Sequence, residues 1–328
     1  MQRGVVVWVG LLLIGLLAGT VAGKEETIVW SFGHHHSLEH PWGKGAQMIC
    51  DLVAERSQGR FIIEHYPAGI LGGEFDTFDQ LMVGAIELMI VGPAALGRYY
   101  EPINILQAHY VFRDLDHMFT VMRGPIGDDL YQSALDATGV RTLDVWYYGT
   151  RHLTTSNFPV HKPEDLVGRK IRSMDIPFHV HNIEAMGPTA TPVAYQELYM
   201  ALQTGVVEGQ ENPLPSIDVM KFYEVQEYLI LTGHCIHPGL LHVNDQAFQA
   251  LPADLQKILT EVVYEVTDKV TEMVLAEEAI LQEKFADYGM KIIEPDVDAF
   301  RERTVANLLA RYDEVWGKGL FAKIQEVK

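Results

Sequence analysis

Three polar residues stand out for their types and settings. Arg172 follows Gly168 and closes a short β-run, Lys170-Ile-Arg172, a setting that points its side chain into a cleft at a strand end. A guanidinium presents a planar fork that grips a carboxylate through two parallel hydrogen bonds. Arg151 lies just after Gly149, and Asn212 stands before Pro213, which fixes the chain. Two arginines and an amide can enclose one carboxylate. The competing reading is an ordinary ion pair on the surface or between lobes, since the chain has 44 Asp and Glu against 25 Lys and Arg.

Histidines invite a second chemistry. His34, His35 and His36 are consecutive, and His179, His181, His234, His237 and His242 follow later. One or two imidazoles with carboxylates can hold Zn²⁺. Consecutive histidines in an extended loop point in different directions, so three of them do not share one ion easily. The expectation is therefore polar loop histidines with one or two ligand donors among them, with no metal and no cofactor. Glu74, His36 and Arg172 also have the types of an acid, a base and an anion clamp. No Gly-x-Ser-x-Gly elbow, His-Glu-x-x-His helix or dinucleotide glycine fingerprint accompanies them.

These residues need elements to position them. Thr27–Phe32 alternates as a strand, Trp42–Ser57 has helical apolar spacing, and Phe61–Tyr66 reads as a second strand. A Gly-rich turn leads into a helix from Glu74 to about Gly84 and a buried strand at Ile86–Val91. This order signals an α/β fold with a mostly parallel sheet. A second α/β cycle starts near Thr142–Trp146, with a strand at Lys170–Arg172, helices at Ile176–Ala185 and Tyr195–Gln203, and a strand ending near Glu211. The repetition on both sides of residue 150 argues for two lobes. From Pro252 to Tyr288 an apolar stripe runs without Pro or Gly. A helix of that length, on the order of 50 Å, exceeds one lobe and is placed to bridge both.

Residues 5–17 are apolar except for two glycines, and Ala18–Gly23 is mostly small, the pattern of a cleaved export leader at 1–23. No second apolar stretch is long enough to span a membrane. The net charge of −19 repels phosphate backbones and excludes nucleic acid as a natural partner. It also repels an acidic ligand at long range, so capture of one requires a local positive pocket. Cys50 and Cys235 are expected as two buried thiols.

Residues 151–213 resemble the substrate-binding proteins of TRAP (tripartite ATP-independent periplasmic) transporters. The likeness extends over the mature chain through His40-Pro41, Leu71-Gly-Gly-Glu74, Phe222–Gln226, Leu251–Leu255 and, above all, Leu202–Asn212. The resemblance implies a periplasmic, monomeric, two-lobed protein with an interlobe ligand cleft that closes on a small organic acid. It implies delivery to a small and a large membrane permease subunit, and no catalysis. Arg172 would make the main salt bridge to the ligand carboxylate, with Arg151 and Asn212 completing the clamp. The lobes are drawn as 24–149 with about 237–277, and 150–236 with about 278–328. Gly73, Gly92 and Ala95 stand where sialic-acid binders of the family carry polar contacts, which disfavours that ligand. The far end of the ligand is expected to meet His34, His35, His36, Glu74, Trp146 and His234. That set suits a uronate or aldonate, a C4-dicarboxylate or a small sulfonate. A ligand sensor for a receptor kinase has the same binding chemistry, and a secreted enzyme is the remaining alternative.

Overall fold

The computed structural model describes residues 27–328; the expected leader at 1–23 lies outside them. Nine strands form one sheet among the described residues. They are β1 (Ile28–Gly33), β2 (Phe61–Tyr66), β3 (Leu88–Val91), β4 (Val140–Thr155), β5 (Lys170–Ser173), β6 (Thr189–Pro192), β7 (Gly209–Pro213), β8 (Tyr228–Asn244) and β9 (Lys291–Ile293). Their order is β2-β1-β3-β8-β4-β7-β5-β6, with β9 also on β8. The flanks are parallel: β1 pairs with β2 and β3, and β5 pairs with β6 and β7.

The centre departs from the mostly parallel sheet expected. β4 and β8 run antiparallel from Val140↔Asn244 to Thr155↔Tyr228, so two long strands carry the chain through both lobes. Strands that cross between lobes must stay paired along their whole length, or their backbone groups would be left unsatisfied where they leave one layer and enter the next.

Three register shifts interrupt this central ladder, the first between Thr142 and Asp144. Tyr147 faces Pro238 and Gly149 faces His237, which makes Tyr148 the extra residue of a bulge. Gly149 takes φ +130, and a Cβ there would lie 2.5 Å from Pro213, so only glycine fits. Beside it, Glu278 accepts from the Tyr147 hydroxyl at 2.9 Å and from the Thr150 amide at 2.7 Å. Farther on, Arg151 faces Cys235 whereas Leu153 faces Ile230, so residues between 230 and 235 leave the ladder.

The helix Ala253–Asp287 contains Glu278 and is as long as its apolar stripe requires. Leu255 through Val274 pack with Trp42, Ile49 and Trp146, whereas Leu281 and Phe285 pack with Leu198, Phe222 and Leu229. One helix therefore supplies both lobes with core. At the chain's end Leu308, Tyr312, Trp316, Phe321 and Ile324, drawn with the second lobe, join the core cluster that holds most of the first lobe's apolar residues, and Tyr312 and Trp316 also pack on Phe178. Arg113 fastens this end by donating to the Gln325 carbonyl at 2.8 Å and the Val327 carbonyl at 2.6 Å. Cys50 and Cys235 are separate buried thiols. Among the described residues no helix is long and apolar enough to cross a membrane.

Candidate ligand-binding cavity

Ile171 and Arg172 are neighbours on β5 and therefore face opposite sides of the sheet. Ile171 packs into the core with Leu153, Phe158 and Ile183. That fixes the register and sends Arg172 into a cavity that it lines with Glu74, Tyr148, Arg151, Tyr195 and Asn212. The Arg172 side chain is buried, 3% exposed, and its Nε donates to the Val193 carbonyl at 2.9 Å. Among the described residues no carboxylate comes within ion-pair distance of it. Burial pulls its pKa down, with Glu211 and Glu74 opposing. A buried guanidinium whose fork has no anion is a costly arrangement unless an anion arrives from outside.

Arg151 is placed differently. It reaches Glu211 through Nε and Nη2, the latter at 2.7 Å, and its Nη1 donates to His237 Nδ1 at 3.0 Å. Nη2 also meets the Glu211 carbonyl at 2.7 Å and Asn212 Oδ1 at 3.2 Å. The β4–β7 ladder sets this up by pairing His152 with Asn212 and Leu153 with Glu211. Burial opposes the charge on Arg151, but the Glu211 carboxylate outweighs it and holds the pKa above the usual arginine value. Burial likewise pushes Glu211 up, and Arg151 with its other donors overrides that to hold it well below the usual carboxylate range. His234 and His179 complete the shell of Glu211 at 3.0 and 3.4 Å. Arg151 and Asn212 both line the cavity, but most of the Arg151 fork is spent internally.

The other wall comes from the first lobe. His35 and His36 line it with their ring centroids 4.0 Å apart, and His36 stacks on His40 at 4.2 Å. Burial, the largest influence on each, lowers the pKa of His35, His36 and His237, so these imidazoles are neutral. Glu74 is the first residue of the helix Glu74–Met82 and also borders the cavity. Its carboxylate has no hydrogen bond or ion pair among the described residues.

Three expected contacts do not reach the cavity. His34 turns to His65, with Nε2 to Nε2 at 2.6 Å. Trp146 is fully buried behind Trp42, their ring centroids 6.4 Å apart. His234 is consumed by Glu211 and by the Thr232 hydroxyl at 2.7 Å. In their place stand Trp42, Tyr148, Met174, Tyr195 and His237. Trp42 precedes Gly43 at a helix start and Tyr148 precedes a glycine within a strand. Such positions mark close approach or a bulge and were the available signals. Gly92 lines the cavity too, and a Cβ there would lie 2.9 Å from His237 Nε2.

The histidines scatter to separate partners. His181 meets the Tyr312 hydroxyl at 2.5 Å and His242 the Thr142 hydroxyl at 3.2 Å. Among the described residues, one trio, His109, Glu211 and His234, has ligand atoms within 4.8 Å of one another. A cation there would sit beside the Arg151 guanidinium that already occupies Glu211, so the donor set does not suit a metal.

Two α/β lobes joined by paired long strands, with an unpaired buried arginine between them, define a solute-binding protein. The chain belongs to the bacterial extracellular solute-binding proteins, family 7, whose family model matches residues 32–314. It is 32% identical over 279 residues to a sialic acid-binding periplasmic protein of Vibrio cholerae, covering 85% of this chain and 86% of that one. A TRAP periplasmic solute-binding protein of Polaromonas sp. JS666, bound to D-erythronate, superposes with a TM-score of 0.86 at 32% identity, over 92% of this chain and 99% of that one. One from Roseobacter denitrificans with bound L-galactonate gives a TM-score of 0.86 at 26% identity, over 92% and 100%.

Proposed function

We propose that this protein captures a small organic acid in the periplasm and delivers it to the two membrane subunits of a TRAP permease, without catalysing a reaction on it. The observation that carries this reading is the Arg172 fork, buried and free of any protein carboxylate among the described residues. The ligand carboxylate takes that fork, assisted by Asn212 and by what remains of the Arg151 donors. His35, His36 and Glu74 meet the ligand's far end together with Tyr148, Tyr195 and His237. The sugar acids held by the relatives support this choice of ligand class. The lobes we assign are 24–149 with about 237–277 and the chain's end, against 150–236 with the 278–300 region, acting as a monomer.

A thermal-shift screen of aldonates, uronates, dicarboxylates and sulfonates tests it, since a ligand that binds only the folded state raises the melting temperature. Calorimetry on the hit should show Arg172→Ala weakening affinity by about thirty- to several-thousand-fold, the equivalent of about 2–5 kcal/mol. Unchanged affinity in that variant refutes the assignment.

A further inference from the structure

The cavity is not closed off on its outer side. A second, open chamber shares Glu74, Arg172, Met174 and Tyr195 with it. Arg172 stands where the two meet and, among the described residues, is the only cation lining the outer chamber, which Glu74, Asp76, Asp175 and Glu197 also border. A ligand anchored on Arg172 therefore extends in one of two directions.

Outward, a second anionic group meets four carboxylates, Glu74 among them, and no further cation. Inward, it meets Glu74. The one other cation there, Arg151, is neutralised by Glu211, and its Nε, Nη1 and Nη2 are all engaged. His35, His36 and His237 bring no compensating charge, because burial keeps them neutral. Arg151 is thus matched by Glu211, and Arg172 is left for one ligand carboxylate, with Glu74 as a further negative charge on the same wall. Like charges brought close together repel, so an uncompensated second anion is disfavoured.

We propose that Glu74 makes this site selective for acids carrying a single negative charge, refusing a second carboxylate and accepting a hydroxyl or ammonium donor from the ligand's far end instead. This rests on the reading of Arg172 as the anion clamp. It separates the ligand classes that the residue types alone leave together, placing dicarboxylates outside the specificity of the protein.

Calorimetry at pH 7.5 on matched pairs tests it: D-erythronate against meso-tartrate, D-gluconate against D-glucarate, and L-galactonate against galactarate. Each pair differs in a terminal hydroxymethyl or carboxylate. The monoacid of any pair that binds should do so at least about 100-fold more tightly than its diacid, because like-charge juxtaposition is costly. Glu74→Gln keeps an acceptor but removes the charge, and should narrow that ratio about tenfold or more. A diacid that binds only with uptake of one proton, measured in buffers of different ionisation heat, also supports the proposal. A diacid that binds as tightly as its partner without proton uptake overturns it, as does an unchanged ratio in Glu74→Gln. Arg172→Ala, run alongside, separates the two readings: if monoacid binding survives that change, the clamp itself is wrong.

Discussion

The Arg151 guanidinium and the Glu211 carboxylate are locked together between β4 and β7, 2% and 0% exposed, with His234 and His179 closing the remaining sides of the acid. This pair is internal framework as much as ligand contact. Breaking one half leaves the other charge buried and alone. Glu211→Gln should therefore cost about 3–5 kcal/mol of folding stability in urea titrations. Stability within 1 kcal/mol of the parent, by the same rough scale, contradicts the pairing.

Arg172 has no such framework duty. Arg172→Lys should leave the urea midpoint close to the parent value and still weaken ligand binding, because a point charge replaces a planar fork. Paired calorimetry and denaturation on the one variant check both halves.

Acid should unfold this protein earlier than its net charge alone suggests. Burial draws His40, His152 and His242 down to about 3 from 6.5. The unfolded chain then binds more protons than the folded one below about pH 6.5. Stability is complete above that value and is lost as pH falls toward 3, by about 1.4 kcal/mol per pH unit for each fully titrating group. Urea midpoints at pH 7.5, 6.0 and 5.0 should fall steadily; equal midpoints contradict the assignment.

Trp146 and Tyr148 should separate. Trp146→Phe thins a core that touches no ligand surface, with a cost of about 1–3 kcal/mol in stability and little change in affinity. Tyr148→Phe removes the hydroxyl that accepts from Ser216 at 2.6 Å beside the cavity, and affinity should fall more than stability. Measuring both quantities on both variants decides it.

Much of this was readable before any coordinates. Arg172 stood out because a short strand after a glycine fixes which way its side chain points, and the long helix announced itself through an uninterrupted apolar stripe. β8 was hidden because Gly233, Pro238 and Gly239 disrupt its pattern, so His237 had no strand to place it on the cavity wall. Tyr148 was missed for a related reason: alternation alone cannot locate a bulge, and Tyr148, as the extra residue before Gly149, comes to the same site as Arg151 although the two are three apart. The family resemblance, resting on Leu202–Asn212, singled out Arg172, Arg151 and Asn212 among 25 basic and 44 acidic residues. It carried no information on which way His34 or Trp146 would turn.

Glu278 fastens the one rod common to both halves at the spot where the crossing strand kinks, through Tyr147 and Thr150. Sliding one half past the other would tear this fastening and the paired strands together. The same kink carries Tyr148 and Arg151 to the cavity wall, so the fastening that ties the two halves together also holds that wall in place.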